Sequence, residues 1–293
     1  MFIARTLHDL ADAVEAQRSA SYTLALVPTM GALHAGHLSL LQAAREQGHR
    51  VAVSIFVNPT QFHNESDLVR YPRDEEADLA KLRDAGCDLV WLPSVETMYP
   101  SQFGYPSRFG DAHHDEIRIE VGGAALGWEG DARPGHFAGV ATVVTKLLNQ
   151  VRPVRAYFGE KDWQQLQVIR SVVAGLFIPV IVEGVTTMRE ADGLAMSSRN
   201  RFLSAHERRR APALHLGLLR AARAIAEGDA VSVILDTARE DLKLRGFDVD
   251  YLALVDGSTL RATTELASGI RLIAAASLGS VRLLDNMAVP LGK

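Results

Sequence analysis

Val27-Pro28-Thr29-Met30-Gly31-Ala32-Leu33-His34-Ala35-Gly36-His37 is the stretch whose reading decides the fold. The apolar run Leu24-Ala25-Leu26-Val27 before it reads as a buried strand, and the amphipathic residues 38–45 after it read as a helix. The segment between is a strand-to-helix turn, where α/β sheets bind nucleotides. Gly31 and Gly36 clear side chains from a place where a ligand approaches backbone. His34 and His37 stand three residues apart, so on one helical turn they share a face. The N–H groups and the positive dipole end of that helix face the same space. Two imidazoles and a helix start make an anion site suited to a polyphosphate.

Working outward, residues 6–17 have a helical period and residues 51–57 form a β-branched, nearly all-apolar strand. That strand runs into Asn58-Pro59-Thr60-Gln61-Phe62, where proline stops it. Residues 63–73 are polar and aperiodic and read as a loop that covers the site. An acidic helix over 74–85 and a third strand over 87–93 follow. Residues 94–131 carry Gly, Pro and aromatics in no legible period. Gly130-Asp131-Ala132-Arg133-Pro134-Gly135-His136-Phe137 leads into a helix over 138–150. A fourth strand over 154–158 breaks into Gly159-Glu160-Lys161-Asp162, followed by a helix over 163–174 and a fifth strand over 178–185. This alternation predicts an α/β doubly wound parallel sheet with right-handed crossovers.

The pattern then changes. Residues 189–202 are a polar connection holding Met196-Ser197-Ser198-Arg199-Asn200. Ser204-Ala205-His206-Glu207 is a capping box opening one long helix to about residue 228. A helix over 231–245 and strands over 247–255, 270–277 and 281–286 complete a smaller α+β domain. The expected domains are 1–185 and 186–293.

Composition narrows the function. The chain has 293 residues, 47% hydrophobic and 23% charged, with 31 basic against 35 acidic residues and a net charge of −4. That balance gives no footprint for nucleic acid. No apolar run is long enough to span a membrane. The single cysteine, Cys87, excludes an internal disulfide and a cysteine metal site and reads as a small core residue. No signal pattern opens the chain, so a cytoplasmic protein is expected.

In a parallel sheet the histidine turn, residues 58–61 and residues 159–162 meet at one edge, with Ser197-Ser198-Arg199 at the domain junction. His34, His37, Lys161, Ser197, Ser198 and Arg199 suit phosphate oxygens as cations or hydroxyl donors. Asn58, Gln61 and Gln165 suit a neutral polar substrate with hydroxyl and carboxylate groups. Both halves together fit attack of a carboxylate on a nucleotide α-phosphate. Arg133 and His136 sit just before a helix, where caps are common, and are kept as candidates on the substrate side.

Residues 28–37, 56–62, 71–73, 133–137, 158–165 and 192–200, in this order, resemble the pantoate–β-alanine ligase family, within the H-x-G-H nucleotidyltransferases. The resemblance implies a Rossmann-like domain binding nucleotide and pantoate, and two steps: adenylation of pantoate by ATP, then displacement of AMP by β-alanine. It implies catalytic roles for His37 as a proton donor, and for His34, Lys161 and Arg199. It places Met30, Gly31, Ala32, Leu33, His34, Ala35, Gly36, His37, Gly159, Glu160, Lys161, Asp162, Met188, Met196, Ser197, Ser198 and Arg199 at ATP. It places Gln61 at both pantoate and β-alanine and Gln165 at pantoate; Asn58, Arg133 and His136 stay substrate-side candidates from the residues themselves. A homodimer and the use of Mg2+ follow from the same likeness. The acidic helix has alanine at 77 where some relatives carry a carboxylate, so the metal ligands are unknown. The rival readings are an H-x-G-H nucleotidyltransferase with another acceptor, and a non-catalytic nucleotide- or RNA-binding relative. The glutamines disfavour the first and the acidic balance disfavours the second.

Overall fold

The computed structural model describes residues 1–18, 22–62, 65–100 and 117–291. The chain forms two compact units, Met1–Glu160 with Gln165–Val185, and Lys161–Gln164 with Thr186–Lys293.

The first unit runs β1 (Phe2–Ala4), α1 (Leu7–Gln17), β2 (Leu24–Thr29), α2 (Ala35–Glu46), β3 (Arg50–Ile55), α3 (Glu65–Arg70), α4 (Glu75–Asp84), β4 (Leu89–Trp91), α5 (Val95–Met98), α6 (Glu129–Ala132), α7 (His136–Val151), β5 (Arg155–Gly159), α8 (Trp163–Gly175) and β6 (Ile181–Val185). Residues 163 and 164 of α8 group with the second unit. The sheet order is β1-β4-β3-β2-β5-β6, and every pairing is parallel. From β2 the chain winds outward through β3 and β4 on one side and through β5 and β6 on the other. The switch point therefore lies between the carboxyl ends of β2 and β5, where ligands bind in open α/β sheets. β2 pairs with β3 from Leu24↔Arg50 to Thr29↔Ile55, so both strands end at the same edge. One face of the sheet is filled by Ala25, Val27, Val51, Val53 and Val90 against Leu40, Leu41 and Leu82 of α2 and α4. Cys87 belongs to this core, and burial pushes its thiol up to about 12, so it stays protonated.

Two local expectations change in this unit. Phe2–Ala4 adds an edge strand that three residues are too short to announce. Residues 65–70 of the expected loop are helical, and His63 and Asn64 lie outside the described residues. Of the region without a legible period, residues 101–116 also lie outside them.

The second unit contains α9 (Ala205–Arg210), α10 (Ala213–Ala226), α11 (Val231–Leu244), β7 (Asp248–Asp256), β8 (Ile270–Leu278) and β9 (Val281–Ala288). The strands form an antiparallel meander, β7-β8-β9. Leu214, Leu218, Ile225 and Leu242 of the helices pack on Leu254, Leu272, Ala274 and Leu283 of the sheet. The capping box at Ser204 forms as read, with Glu207 returning to the Ser204 N–H. The one long helix does not: it breaks at Ala211-Pro212, because proline has no N–H to continue the ladder and fits the start of α10.

β2 is central and buried on both faces, whereas β6 is an edge. Leu26→Ala, at a fully buried position, should cost about 2–5 kcal/mol in denaturant unfolding. Ile181→Ala, at a position 53% exposed, should cost about 1 kcal/mol or less. Equal costs would contradict this layering.

Candidate active site

The histidine turn is built by its neighbours. Past β2, Gly31 (φ +78°) and Ala32 (φ +50°) both take left-handed backbone. A Cβ on Gly31 would lie 3.0 Å from Asp78 Oδ2 and 3.1 Å from Ile55, so glycine is required twice over. The Leu33 N–H donates to Asp78 Oδ1 at 2.8 Å, and Lys81 Nζ donates to the Leu33 carbonyl at 2.8 Å. α4 thus holds both backbone groups of the residue before the first histidine.

His34 is the N-cap of α2 and His37 its third residue. The Gly36 N–H donates to His34 Nδ1 at 3.1 Å, and the His34 N–H donates to His37 Nδ1 at 3.3 Å. This is a capping box made of two imidazoles, with ring centroids 4.1 Å apart. A ring that accepts at Nδ1 carries its hydrogen on Nε2. In this arrangement the pair offers neutral Nε2–H donors rather than the cations expected from the sequence. Two of the N–H groups expected to hold an anion are spent inside the cap.

The second predicted cluster is continuous with this turn. Gln61 Nε2 donates to Met30 Sδ at 2.7 Å. Asn58, 1% exposed, donates through Nδ2 to Gln61 Oε1 at 3.3 Å and to the Gly139 carbonyl at 3.2 Å. Its Oδ1 accepts from the Tyr99 hydroxyl at 2.8 Å and the Thr60 hydroxyl at 3.0 Å. His136 Nδ1–H donates to the Gln61 carbonyl at 2.8 Å, and Arg133 donates to His136 Nε2 at 3.2 Å. Arg133, His136, Gln61, Asn58 and Met30 therefore form one connected polar set at the carboxyl edge. Gly139 brings α7 against it, since a Cβ there would lie 2.6 Å from the Thr60 carbonyl oxygen. Gln165 stands half-buried in the first turn of α8, and Gly159 and Glu160 close β5.

The remaining predicted residues fall in the second unit. Lys161, Ser197 and Arg199 line one small cavity with Asn200, His215 and Asp285. Lys161 Nζ sits 3.2 Å from Asp162 Oδ1. Met188 and Met196 face each other across a short hairpin, the Met196 N–H donating to the Met188 carbonyl at 3.0 Å. Ser197 caps the 3-10 turn Ser198–Phe202, its hydroxyl accepting from the Arg199 N–H. Met188, Met196 and Ser198 are not in the cavity wall.

Sequence reading missed Asp78, Tyr99, Gly139, Arg189, His215, Asp285 and Asn286, whose roles depend on partners far along the chain or on a strand face. In the sequence the acidic helix stands out for its charge and for Ala77, not for Asp78 as a partner of Leu33. Among the described residues no group of three or more His, Cys, Asp or Glu side chains gathers to hold a metal. Asp78 already accepts from Leu33 and lies 3.5 Å from Lys81 Nζ. These residues do not fit a protein cage for Mg2+.

Comparison with known proteins accords with this geometry. The family model described as Pantoate-beta-alanine ligase matches residues 2–288. Pantothenate synthetase of Granulibacter bethesdensis is 55% identical over 98% of this chain and 96% of its own, and that of Acidiphilium cryptum is 58% identical over 91% of each. The crystal structure of pantothenate synthetase from Thermus thermophilus superposes with a TM-score of 0.88 at 44% identity, covering 99% of both chains. Pantoate-beta-alanine ligase from Francisella tularensis, described as complexed with beta-gamma ATP and beta-alanine, gives 0.80 at 32% identity over 100% of this chain and 99% of that one. The α/β sheet with its small antiparallel partner is the fold of these enzymes, and the chain belongs to the pantoate–β-alanine ligase family.

Proposed function

We propose that the chain joins pantoate to β-alanine in two steps at the expense of ATP. The pantoate carboxylate attacks the α-phosphorus, the bond to the bridging oxygen breaks, and pyrophosphate leaves. The β-alanine amine then attacks the acyl carbon, loses a proton, and AMP leaves with the oxygen. One observation carries this reading: a reciprocal histidine cap, offering Nε2–H donors, is linked through Met30 to the amides of Gln61 and Asn58. The Francisella relative, described in complex with a nucleotide and β-alanine, supports the substrate assignment.

In this reading residues 30–37, Gly159 to Asp162, Met188 and residues 196–199 bind ATP. Gln61, Asn58, Gln165, Arg133 and His136 serve pantoate and β-alanine. The cationic charge on Lys161 and Arg199 offsets the triphosphate, and the His34 and His37 Nε2–H groups meet charge that develops as pyrophosphate leaves. Amides bind the hydroxyls of pantoate without tying its carboxylate to a cation, which leaves the nucleophile reactive. With no carboxylate cluster among the described residues to hold it, Mg2+ would have to come with the nucleotide, where it would offset phosphate charge. A cytoplasmic homodimer completes the proposal. Leu176, Phe177 and Ile181 are exposed beside the edge strand β6, Phe177 to 91%, and support a second copy docking there.

Incubation with ATP and pantoate should release pyrophosphate, and AMP should follow only after β-alanine is added. Release of AMP with pantoate absent would overturn the reading. His37→Ala removes a cap and a donor and Lys161→Ala removes a cation. Each should slow pyrophosphate release by at least about 10²-fold, and near-normal release would remove that residue from the chemistry. Gln61→Ala and Gly139→Ala should raise the pantoate KM more than the ATP KM; the reverse order would exchange the two assignments. Phe177→Asp should lower the mass in light scattering to that of one chain, and an unchanged dimer would place the interface elsewhere.

A further inference from the structure

We infer that the adjacent residues Asp285 and Asn286 of β9 are positioning residues for the two phosphate-binding segments, Lys161 and the loop ending in Ser197–Arg199. The inference rests on the ligase reading and concerns its adenylation step.

Asp285 lies opposite Ala274 and Asn286 opposite Ile273, and successive side chains leave a strand on opposite faces. Asp285, 4% exposed, is on the helix-covered face. Its carboxylate takes both arms of the Arg189 guanidinium, at 2.7 and 2.9 Å. Arg189 also donates to the Gly193 carbonyl at 3.1 Å and pairs across the hairpin with Ala195. That hairpin leads directly into Ser197. Asn200, past the loop, returns to the Ala195 carbonyl and to Glu190 Oε1, both at 3.0 Å. The loop is thus rooted in the sheet through an ion pair whose carboxylate is buried and whose guanidinium is partly exposed. His215 Nδ1 is buried without a hydrogen bond, 3.7 Å from Asp285. Burial first and the Arg189 charge second hold this ring below its ordinary value, so it fills space and leaves the ion balance to Arg189.

Asn286, 5% exposed, serves the other segment. Its Nδ2 donates to the Lys161 carbonyl at 2.8 Å, and its Oδ1 accepts from the Arg271 guanidinium. Arg271 stacks 3.5 Å over the Trp163 ring, and Trp163 Nε1 donates to the Gly257 carbonyl at 2.7 Å. The main chain around the lysine is thus held at its own carbonyl and again at Trp163. The backbone N–H of Asn286 donates to Asp285 Oδ1 at 2.8 Å, which ties the two anchors together. Lys161, Ser197, Arg199 and Asp285 line one cavity, so the Asp285 anchor and the groups held by the pair share a wall.

A buried ion pair is expensive and an apolar pair of similar volume often replaces it without loss of stability. Position and stability can therefore be separated. Asp285→Asn, Asn286→Ala and the double variant Arg189→Met/Asp285→Leu should each raise the ATP KM for pyrophosphate release at least tenfold. The pantoate KM, and the rate of pantothenate formation from supplied pantoyl adenylate and β-alanine, should stay within twofold. Should Asp285→Asn fail to fold, Asn286→Ala and the apolar double variant carry the test. An ATP KM within twofold of the parent in folded variants overturns the inference, as do equal losses in both half-reactions. Failure of the parent protein itself to release pyrophosphate with pantoate would instead refute the ligase reading.

Discussion

The bond from the Leu33 N–H to Asp78 is the constraint on which the site depends. After β2 the chain turns through two left-handed residues and leaves the sheet, so its polar groups have no ladder to join. α4 supplies the missing partners, a carboxylate for the N–H and Lys81 for the carbonyl. Leaving that N–H unpaired in the core would cost about 1–3 kcal/mol. His34 is the next residue. Once Leu33 is fixed, the backbone groups that bind the two Nδ1 atoms are fixed, and with them the directions of the Nε2 hydrogens. An acidic helix far downstream thus sets the chemistry of the histidine turn.

The architecture divides the labour by charge type. The cap residues in the first unit act as neutral donors, because backbone amides occupy their acceptor nitrogens. The permanent cations Lys161 and Arg199 belong to the second unit and line a cavity there. A reaction between a carboxylate and a triphosphate benefits from this separation. On the proposed assignment, cations would lower the cost of holding the phosphates, while neutral amides would hold the acid without quenching its nucleophilic oxygen.

Periodicity exposed most of the fold. The central strands were legible because β2 and β3 are buried on both faces and read as apolar runs, and the capping box at Ser204 was legible because its contacts are local. β1 was not, since its register comes from β4, with Phe2 set against Leu89. The break at Pro212 was a local signal overridden by the apolar period on either side of it. In the site, residue identities were legible and protonation was not. The spacing of His34 and His37 predicts a shared face, but whether each ring carries charge depends on which backbone N–H reaches it. Asn58 reads as a substrate ligand by type, yet its amide is already engaged by Gln61, Gly139, Thr60 and Tyr99, which no local pattern announces. Asp285 and Asn286 read as an interruption of an apolar strand, a pattern that acquires meaning only with the hairpin and the lysine turn in place.

Both buried aspartates behind functional segments carry a cation of their own, Asp78 with Lys81 and Asp285 with Arg189. The pairing has an electrostatic reason beyond stability. A bare carboxylate about 6 Å from a phosphate charge would oppose it by about 3 kcal/mol at an effective dielectric of about 20, as much as one well-placed donor supplies. Carboxylates are the strongest acceptors for fixing backbone N–H and guanidinium groups, so a site that must place loops closely has reason to use them. It can do so beside an anionic ligand only if each carries a neutralising cation. In a chain with a net charge of −4, local matching of this kind, rather than the overall balance, is what the proposed phosphate site requires of its acidic residues.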